Sequence, residues 1–354
     1  MTGRRDAVVG CLLGMAIGDA LGLPAEGMSR RRQRRLFPNI DRYHFLLGRG
    51  MASDDTEHAC LTAQALITSA GDAERFTHDL GRRLRWWFLG LPAGIGRATA
   101  RACVKLWLGV PPHRSGVFSA GNGPAMRGPI LGVCYGHDPD RLRQLVRAST
   151  RMTHTDPKAE AGALTVAIAA HTAATLAPAD AAATFFAAVG SHLPRDAADL
   201  LARLDRVRES VTAGQPTDEY ADAVGLGRGV SGYMYHTVPA AVHAWLSHPA
   251  DLRSAVLAAI RCGGDTDTVG AIVGGIAGAG VGRAGIPAEW LAGLWEWPRS
   301  VGWMERLGGR LAEVIATGEP QRALPLAIWA LPPRNLLFLA VVLAHVARRL
   351  LPPC

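Results

Sequence analysis

The sequence predicts an all-α protein built as one compact multi-helix domain, and three observations carry that prediction. β-Branched residues are thinly spread, while Ala, Leu and Arg, all good helix formers, recur at three- and four-residue spacing across 57–70, 140–151, 158–176, 197–212 and 250–262. No alternating apolar and polar run bounded by turn residues reads as a strand, and no glycine-rich nucleotide fingerprint follows one, so a Rossmann-type domain is excluded. The third observation is a pair of glycine runs with spacing four: Gly10, Gly14, Gly18, Gly22 and Gly270, Gly274, Gly278, Gly282. On a helix, spacing four makes one stripe. Each interior glycine costs about 0.5–1 kcal/mol relative to alanine, and close approach of two backbones is the compensating gain. Two central helices in contact would bring the first and last parts of the domain together.

The remaining elements follow in order. The apolar run from Ala7 to Ile17, behind Arg4 and Arg5, imitates a secretory signal with a lipobox-like Val8-Val9-Gly10-Cys11. A lipobox follows its apolar stretch, whereas here the stretch comes after Cys11 and is bracketed by Asp6 and Asp19, so it reads as a core helix. Arg30-Arg31-Arg32-Gln33-Arg34-Arg35 reads as a solvated surface, because no aromatic residue lies inside it to stack on bases. Glycine and proline clusters at 90–96, 109–129, 213–232 and 282–287 break the helices, and 109–129 is too long for a plain connector. Past residue 320 the character changes: Leu324–Leu331, then Pro332-Pro333-Arg334-Asn335, then Leu336–Val346 and two arginines, Arg348 and Arg349. The division is therefore 1–320 for the main domain and 321–354 for an apolar C-terminal extension. That extension reads either as a packed terminal helix or as a peripheral membrane attachment, with Arg334 and the diproline interrupting any continuous span.

Composition narrows the function. The chain of 354 residues, 49% apolar and 19% charged, can bury a core without disulfides or structural metal. Its formal charge of +8 is almost all arginine, with lysine only at 105 and 158, which suits a GC-rich bacterial genome and calls for no nucleic-acid partner. The six cysteines, Cys11, Cys60, Cys103, Cys134, Cys262 and Cys354, form no closely spaced pair, as expected of a cytoplasmic protein. The scattered histidines show no metal-binding pair at helical spacing, and Trp86, Trp87, Trp290, Trp295, Trp297 and Trp303 read as core or interface aromatics.

Two acidic clusters stand out. Ser53-Asp54-Asp55-Thr56-Glu57 precedes an apolar helical run. It reads as an N-cap, with Asp54 and Glu57 spaced as in a capping box, and also as a short arc of hard oxygen ligands. Gly263-Gly264-Asp265-Thr266-Asp267-Thr268 repeats the arrangement at the start of the second glycine-striped helix. If the stripes meet, four carboxylates converge and repel unless a divalent cation, or a pair of them, sits among them; oxygen donors favour Mg²⁺ or Mn²⁺ over zinc.

In order, Gly14–Glu26 (GMAIGDALGLPAE), Ser53–Thr56 (SDDT), Gly121–Arg127 (GNGPAMR), Thr153-His154 with Pro157 and Ala159, Gly232–Ala241 (GYMYHTVPAA) and Gly263–Gly270 (GGDTDTVG) resemble the ADP-ribosylglycohydrolase family over roughly residues 7–316. The resemblance implies an all-α fold, two Mg²⁺ or Mn²⁺ ions, and hydrolysis of the N- or O-glycosidic bond joining ADP-ribose to a side chain or small molecule. It implies Ser53, Asp54, Asp55, Asp265, Asp267 and Thr268 as metal ligands, and Gly121, Asn122 and Gly123 as the loop around phosphate and ribose. His154 then meets the ADP-ribose, Tyr233 lies along the ligand, and Glu26 matches a mobile acidic residue near the metals. Three departures, Ser53 where threonine is usual, Glu57-His58 where glutamine is common, and a chain running past the usual end, bear more on substrate than on chemistry.

The chemistry agrees with that assignment. Cleavage at the anomeric carbon develops oxocarbenium character, which a metal pair about 3.5–4 Å apart can meet by orienting ribose hydroxyls and polarising water. Either Asp55 or Glu26 can then be the base. Glycines flanking Asn122 let backbone N–H groups approach a diphosphate. The expected activity is release of ADP-ribose from arginine of a protein; serine-linked ADP-ribose, a small ADP-ribosyl metabolite, and non-catalytic ADP-ribose binding are the alternatives.

Overall fold

A computed structural model describes residues 2–45, 47–92 and 94–350, with the side chains of Thr2, Arg349 and Leu350 left aside. Cys354 and the end of the C-terminal extension, 351–354, lie outside the described residues. Among the described residues seventeen α-helices follow one another: α1 (Thr2–Gly22), α2 (Arg30–Leu36), α3 (Asp54–Ser69), α4 (Ala73–Phe88), α5 (Arg97–Trp107), α6 (Gly128–Tyr135), α7 (Pro139–Arg151), α8 (Pro157–Thr175), α9 (Pro178–His192), α10 (Ala198–Thr212), α11 (Thr217–Ala223), α12 (Met234–Ser247), α13 (Leu252–Arg261), α14 (Thr266–Val281), α15 (Ala288–Gly293), α16 (Val301–Thr317) and α17 (Leu331–Leu350). Among the described residues, β structure is confined to isolated bridges.

Local chemistry sets many of the starts. Asp72, Asp138, Asp156, Asp251 and Ser300 each accept a hydrogen bond from a backbone N–H of the following turn, and Pro139 and Pro157 occupy first-turn positions where no N–H is needed. Gly318 closes α16 in the left-handed conformation at φ 71°.

The glycine stripes meet. Antiparallel α1 and α14 lie so close that a Cβ on Gly10, Gly14 or Gly18 would fall on the carbonyl oxygen of Gly278, Gly274 or Gly270 respectively, and the converse holds from α14. The apolar stretch of α1 is wholly buried in this core, as a core helix requires. The same device recurs where Gly132 of α6 meets the Ala167 carbonyl of α8. Helix α16 completes the cover of α1, with Gly308 against Val9.

Two expectations need correction. The arginine run is only partly solvated: Arg30 is buried and paired with Asp222 at 2.8 Å, while Gln33 is buried and donates to the Ile260 carbonyl, so α2 is docked on the domain. Pro332 and Pro333 do not interrupt the last helix but open it, since a first turn has no intrahelical N–H to lose. Ahead of α17 an extended strap is held by Gln64, whose amide bonds both N–H and C=O of Leu324 at 2.8 Å, and by Trp303 Nε1 on the Pro325 carbonyl. Phe338 then packs on Leu23, Phe45 and Met51. The segment Ile328–Arg348 is long and apolar enough to cross a membrane by length and composition, but Arg334, Asn335 and Phe338 are buried in the domain, while Leu336, Leu337, Leu339 and Leu343 face outward.

Candidate metal and ligand site

Closing α1 on α14 places the C-terminal end of the first helix against the N-terminal end of the second, and the site is built at that junction. The chain leaving α1 and the turn before α14 are stitched together: Gly27 N–H donates to the Gly264 carbonyl at 2.8 Å and Gly264 N–H to the Met28 carbonyl at 2.7 Å. Gly264 must be glycine, because its φ is +84° and a Cβ would strike Val230 backbone. Asp265 N–H donates to the Val230 carbonyl at 2.7 Å, which adds the 229–233 segment to the same seam.

One oxygen each of Glu26, Asp265 and Asp267 lies within 4.8 Å of the others. Glu26 is exposed at the rim, Asp265 is half-buried and Asp267 is buried. From the first turn of α3, Asp54 and Asp55 face the same centre. The N-cap of α3 is Ser53, whose Oγ accepts from Asp55 N–H at 3.3 Å. The capping-box spacing of Asp54 and Glu57 is thus not used as one, since Glu57 turns away to Arg299. Thr268 Oγ1 donates to Asp55 Oδ2 at 3.1 Å, joining the two acidic clusters directly.

The electrostatics are those of crowded like charges out of water. Burial first, and then the charges of Asp54, Asp19 and Asp265, push the Asp55 carboxyl well above the usual range. Asp54 is raised by burial, Asp19, Glu57 and Glu26, and Asp267 by burial, Glu26, Asp265 and Asp55. Asp55 Oδ1 and Asp267 Oδ1 are buried with no hydrogen-bond partner. Oxygen donors on several elements, two with orphaned buried atoms, and three carboxyls, Asp54, Asp55 and Asp267, raised by burial and by their neighbours, fit a bound divalent cation.

The second group of expected residues comes to the same place. Asn122 Nδ2 donates to Asp265 Oδ2 at 2.6 Å and to Thr237 Oγ1 at 2.9 Å, which fastens the 109–129 loop to the carboxylates. Gly121 bridges Tyr233, and Asn122 N–H donates to the Gly232 carbonyl at 2.9 Å. Beneath the loop lies the His154 ring; a Cβ on Gly121 or Gly123 would sit 3.1 Å from it. Burial, and then the Arg127 charge, push His154 down to about 3, so it is a neutral imidazole at physiological pH. Tyr233 stands half-buried at the opposite side of the loop, with the Lys158 ammonium 5.7 Å from its ring centre.

Two supporting residues escaped the sequence reading. Asp19, fully buried on α1, accepts from Ser53 N–H at 2.9 Å, Thr56 N–H at 3.2 Å and Thr56 Oγ1 at 2.6 Å, and so holds the loop that presents Asp54 and Asp55. Burial pushes it up to about 6, against the lowering effect of these bonds. The available signal was a lone carboxylate between Gly18 and Gly22 of the stripe, too costly inside a helix pair without a purpose. Arg127 is the second: wholly buried, it donates to Ser149, to Thr153 and toward His58 Nδ1, and Thr153 Oγ1 lies 2.9 Å from His154 Nδ1. Replacing Asp19 by Asn should leave helix content unchanged and weaken Mn²⁺ affinity by about 10–100-fold, the usual loss when a ligand's support is removed; a Mn²⁺ titration followed by electron paramagnetic resonance checks it.

Comparison with known proteins agrees with this geometry. The family model described as ADP-ribosylglycohydrolase matches residues 1–321. The ADP-ribosyl-[dinitrogen reductase] glycohydrolase of Rhodospirillum rubrum is 28% identical over 83% of this chain and 92% of its own. The ADP-ribosylarginine hydrolase Tri1 of Pseudomonas putida is 28% identical over 89% of this chain and 79% of its own. A solved structure titled ADP-ribosylglycohydrolase-related protein complex superposes with a TM-score of 0.65 at 28% identity, over 89% of this chain and 100% of that one. The chain belongs to the ADP-ribosylglycohydrolase family and is an enzyme that hydrolyses ADP-ribosyl linkages.

Proposed function

We propose that this enzyme removes ADP-ribose from an arginine side chain of a modified protein, in the reducing cytoplasm, with two Mg²⁺ or Mn²⁺ ions bound by Ser53, Asp54, Asp55, Asp265, Asp267 and Thr268. The observation that carries the reading is the convergence of buried carboxylates from both ends of the chain on one centre, with orphaned oxygens at Asp55 and Asp267. Arginine as the linkage is supported by the name of the Pseudomonas putida relative, which aligns along most of this chain.

Bound ions would supply Lewis acidity and a fixed position for the ribose hydroxyls. The remaining work falls to the protein. The Gly121–Gly123 turn meets the diphosphate through the Gly123 N–H, because those of Gly121 and Asn122 are given to Ser119 Oγ and the Gly232 carbonyl, and the neutral His154 ring forms the floor against which that turn is set. Asn122, held by Asp265 and Thr237, fixes the ribose side of the loop. Tyr233 lines the other wall. Glu26 is the general base of this reading: it is exposed at the rim, whereas Asp55 is buried with Oδ2 already engaged by Thr268 and Ser53. Glu26 takes a proton from water as the water oxygen bonds to the anomeric carbon; the bond to the arginine nitrogen breaks with its electron pair going to nitrogen, and the neutral guanidine so released takes that proton back from Glu26.

Paired assays on arginine-linked and serine-linked ADP-ribosyl proteins test the linkage. Turnover at least tenfold faster on the arginine-linked substrate is expected; equal or faster release from serine would reject arginine as the linkage while leaving the hydrolytic site in place.

A further inference from the structure

We propose that Arg334, on the C-terminal helix beyond the residues matched by the family model, is a positioning residue for the metal-binding loop; the proposal rests on the metal reading of the carboxylate site. Arg334 enters the domain from the end of the first turn of α17 and reaches both sides of the Ser53-Asp54-Asp55 segment. Its Nη2 donates to the Ala52 carbonyl at 2.5 Å, while Nε and Nη2 fork onto Glu296 at 2.9 and 2.5 Å. Glu296 in turn accepts the Ala52 N–H at 3.1 Å, so both backbone polar groups of the residue before Ser53 are held by this one ion pair. On the far side, Arg334 Nη1 lies 3.8 Å from Glu57, which Arg299 also binds at 2.5 Å and Trp87 Nε1 at 2.5 Å. Ala52 and Glu57 bracket the three loop ligands.

Stability alone gives a poor reason for this arrangement. Side chains of Glu57, Glu296, Arg299 and Arg334 are 4%, 2%, 3% and 7% exposed, so four charges have left water, and a packed apolar set of similar volume would stabilise the fold as well or better. What an apolar set could not do is bind the Ala52 carbonyl and N–H and so define where the next three residues point. Asn335 Nδ2 on the Gly90 carbonyl at 2.6 Å and Phe338 in its apolar contact fix the helix that carries the guanidinium. The part of the C-terminal extension from Arg334 to Phe338 therefore belongs to the site's framework.

The test uses the full-length chain with Arg334→Met and Glu296→Gln together, which removes both charges and leaves neither buried alone. Readouts are far-ultraviolet circular dichroism, Mn²⁺ affinity by electron paramagnetic resonance of free Mn²⁺, and the Mn²⁺ concentration for half-maximal hydrolysis. Helix content is expected to stay at the wild-type level while Mn²⁺ affinity falls about 10–100-fold and half-saturation moves with it. Arg334→Lys, which keeps the charge and loses the fork, is expected to fall between. Mn²⁺ affinity within twofold of wild type in the folded double variant overturns the proposal alone. Absence of Mn²⁺ binding in the wild type overturns the metal reading and the proposal with it.

Discussion

Neutralising the second acidic cluster, Asp265→Asn with Asp267→Asn, is expected to lower turnover at least about a hundredfold, the loss that follows removal of a single preorganised electrostatic group in other enzymes. Mn²⁺ binding should vanish with it, and helix content should not change. Neither carboxylate caps α14, since Asp265 makes no side-chain cap bond and its oxygen is taken by Asn122. The metal-free variant should also be more stable than the metal-free wild type at pH 8. Asp267 is raised by burial and by its acidic neighbours. A carboxyl whose folded pKa lies above its unfolded value favours folding below the unfolded pKa, near 4, and loses that contribution as pH rises through the folded one. The variant's advantage should therefore be present at pH 8 and absent at pH 4, read from unfolding midpoints in EDTA. Wild-type turnover, or a wild-type midpoint at pH 8, would remove this cluster from the site.

The second large effect is on the fold. Gly14→Val should cost at least about 3 kcal/mol, because the added atoms meet the Gly274 carbonyl and the Gly278 Cα, and backbone on both sides cannot swing away as a side chain does. Against a total stability of about 5–15 kcal/mol, that is a large fraction of what holds the chain together. Gly190→Ala on α9, where a Cβ meets nothing within 4 Å, is the control and should gain about 0.5–1 kcal/mol. Denaturant midpoints for the two variants separate the costs of helical glycine from those of close approach. A Gly14→Val protein as stable as wild type would mean that the two central helices do not touch as described.

Much of this was legible in the sequence because it was written in spacing. Glycines four apart on two distant segments predict a helix pair, and the pair predicts that SDDT and GGDTDT meet; the bond from Thr268 to Asp55 is that meeting. What was not legible depends on contacts between residues with no shared pattern. Asp19 reads as a polar interruption of an apolar helix until Ser53 and Thr56 are seen to donate to it. Arg334 reads as a break in an apolar run, but its partners Ala52, Glu57 and Glu296 are 282, 277 and 38 positions away and no motif links them. The diproline misled for a simpler reason: its meaning depends on whether it lies inside a helix or at its first turn, and only the boundary decides that.

The most direct test of the account is release of free ADP-ribose from an arginine-ADP-ribosylated protein by the full-length enzyme in Mg²⁺, after EDTA, and after Mg²⁺ or Mn²⁺ is restored. Release that EDTA abolishes and either metal recovers is expected, together with its loss in the Asp265→Asn, Asp267→Asn variant. Release that continues undiminished in EDTA, or in that variant, would contradict the account.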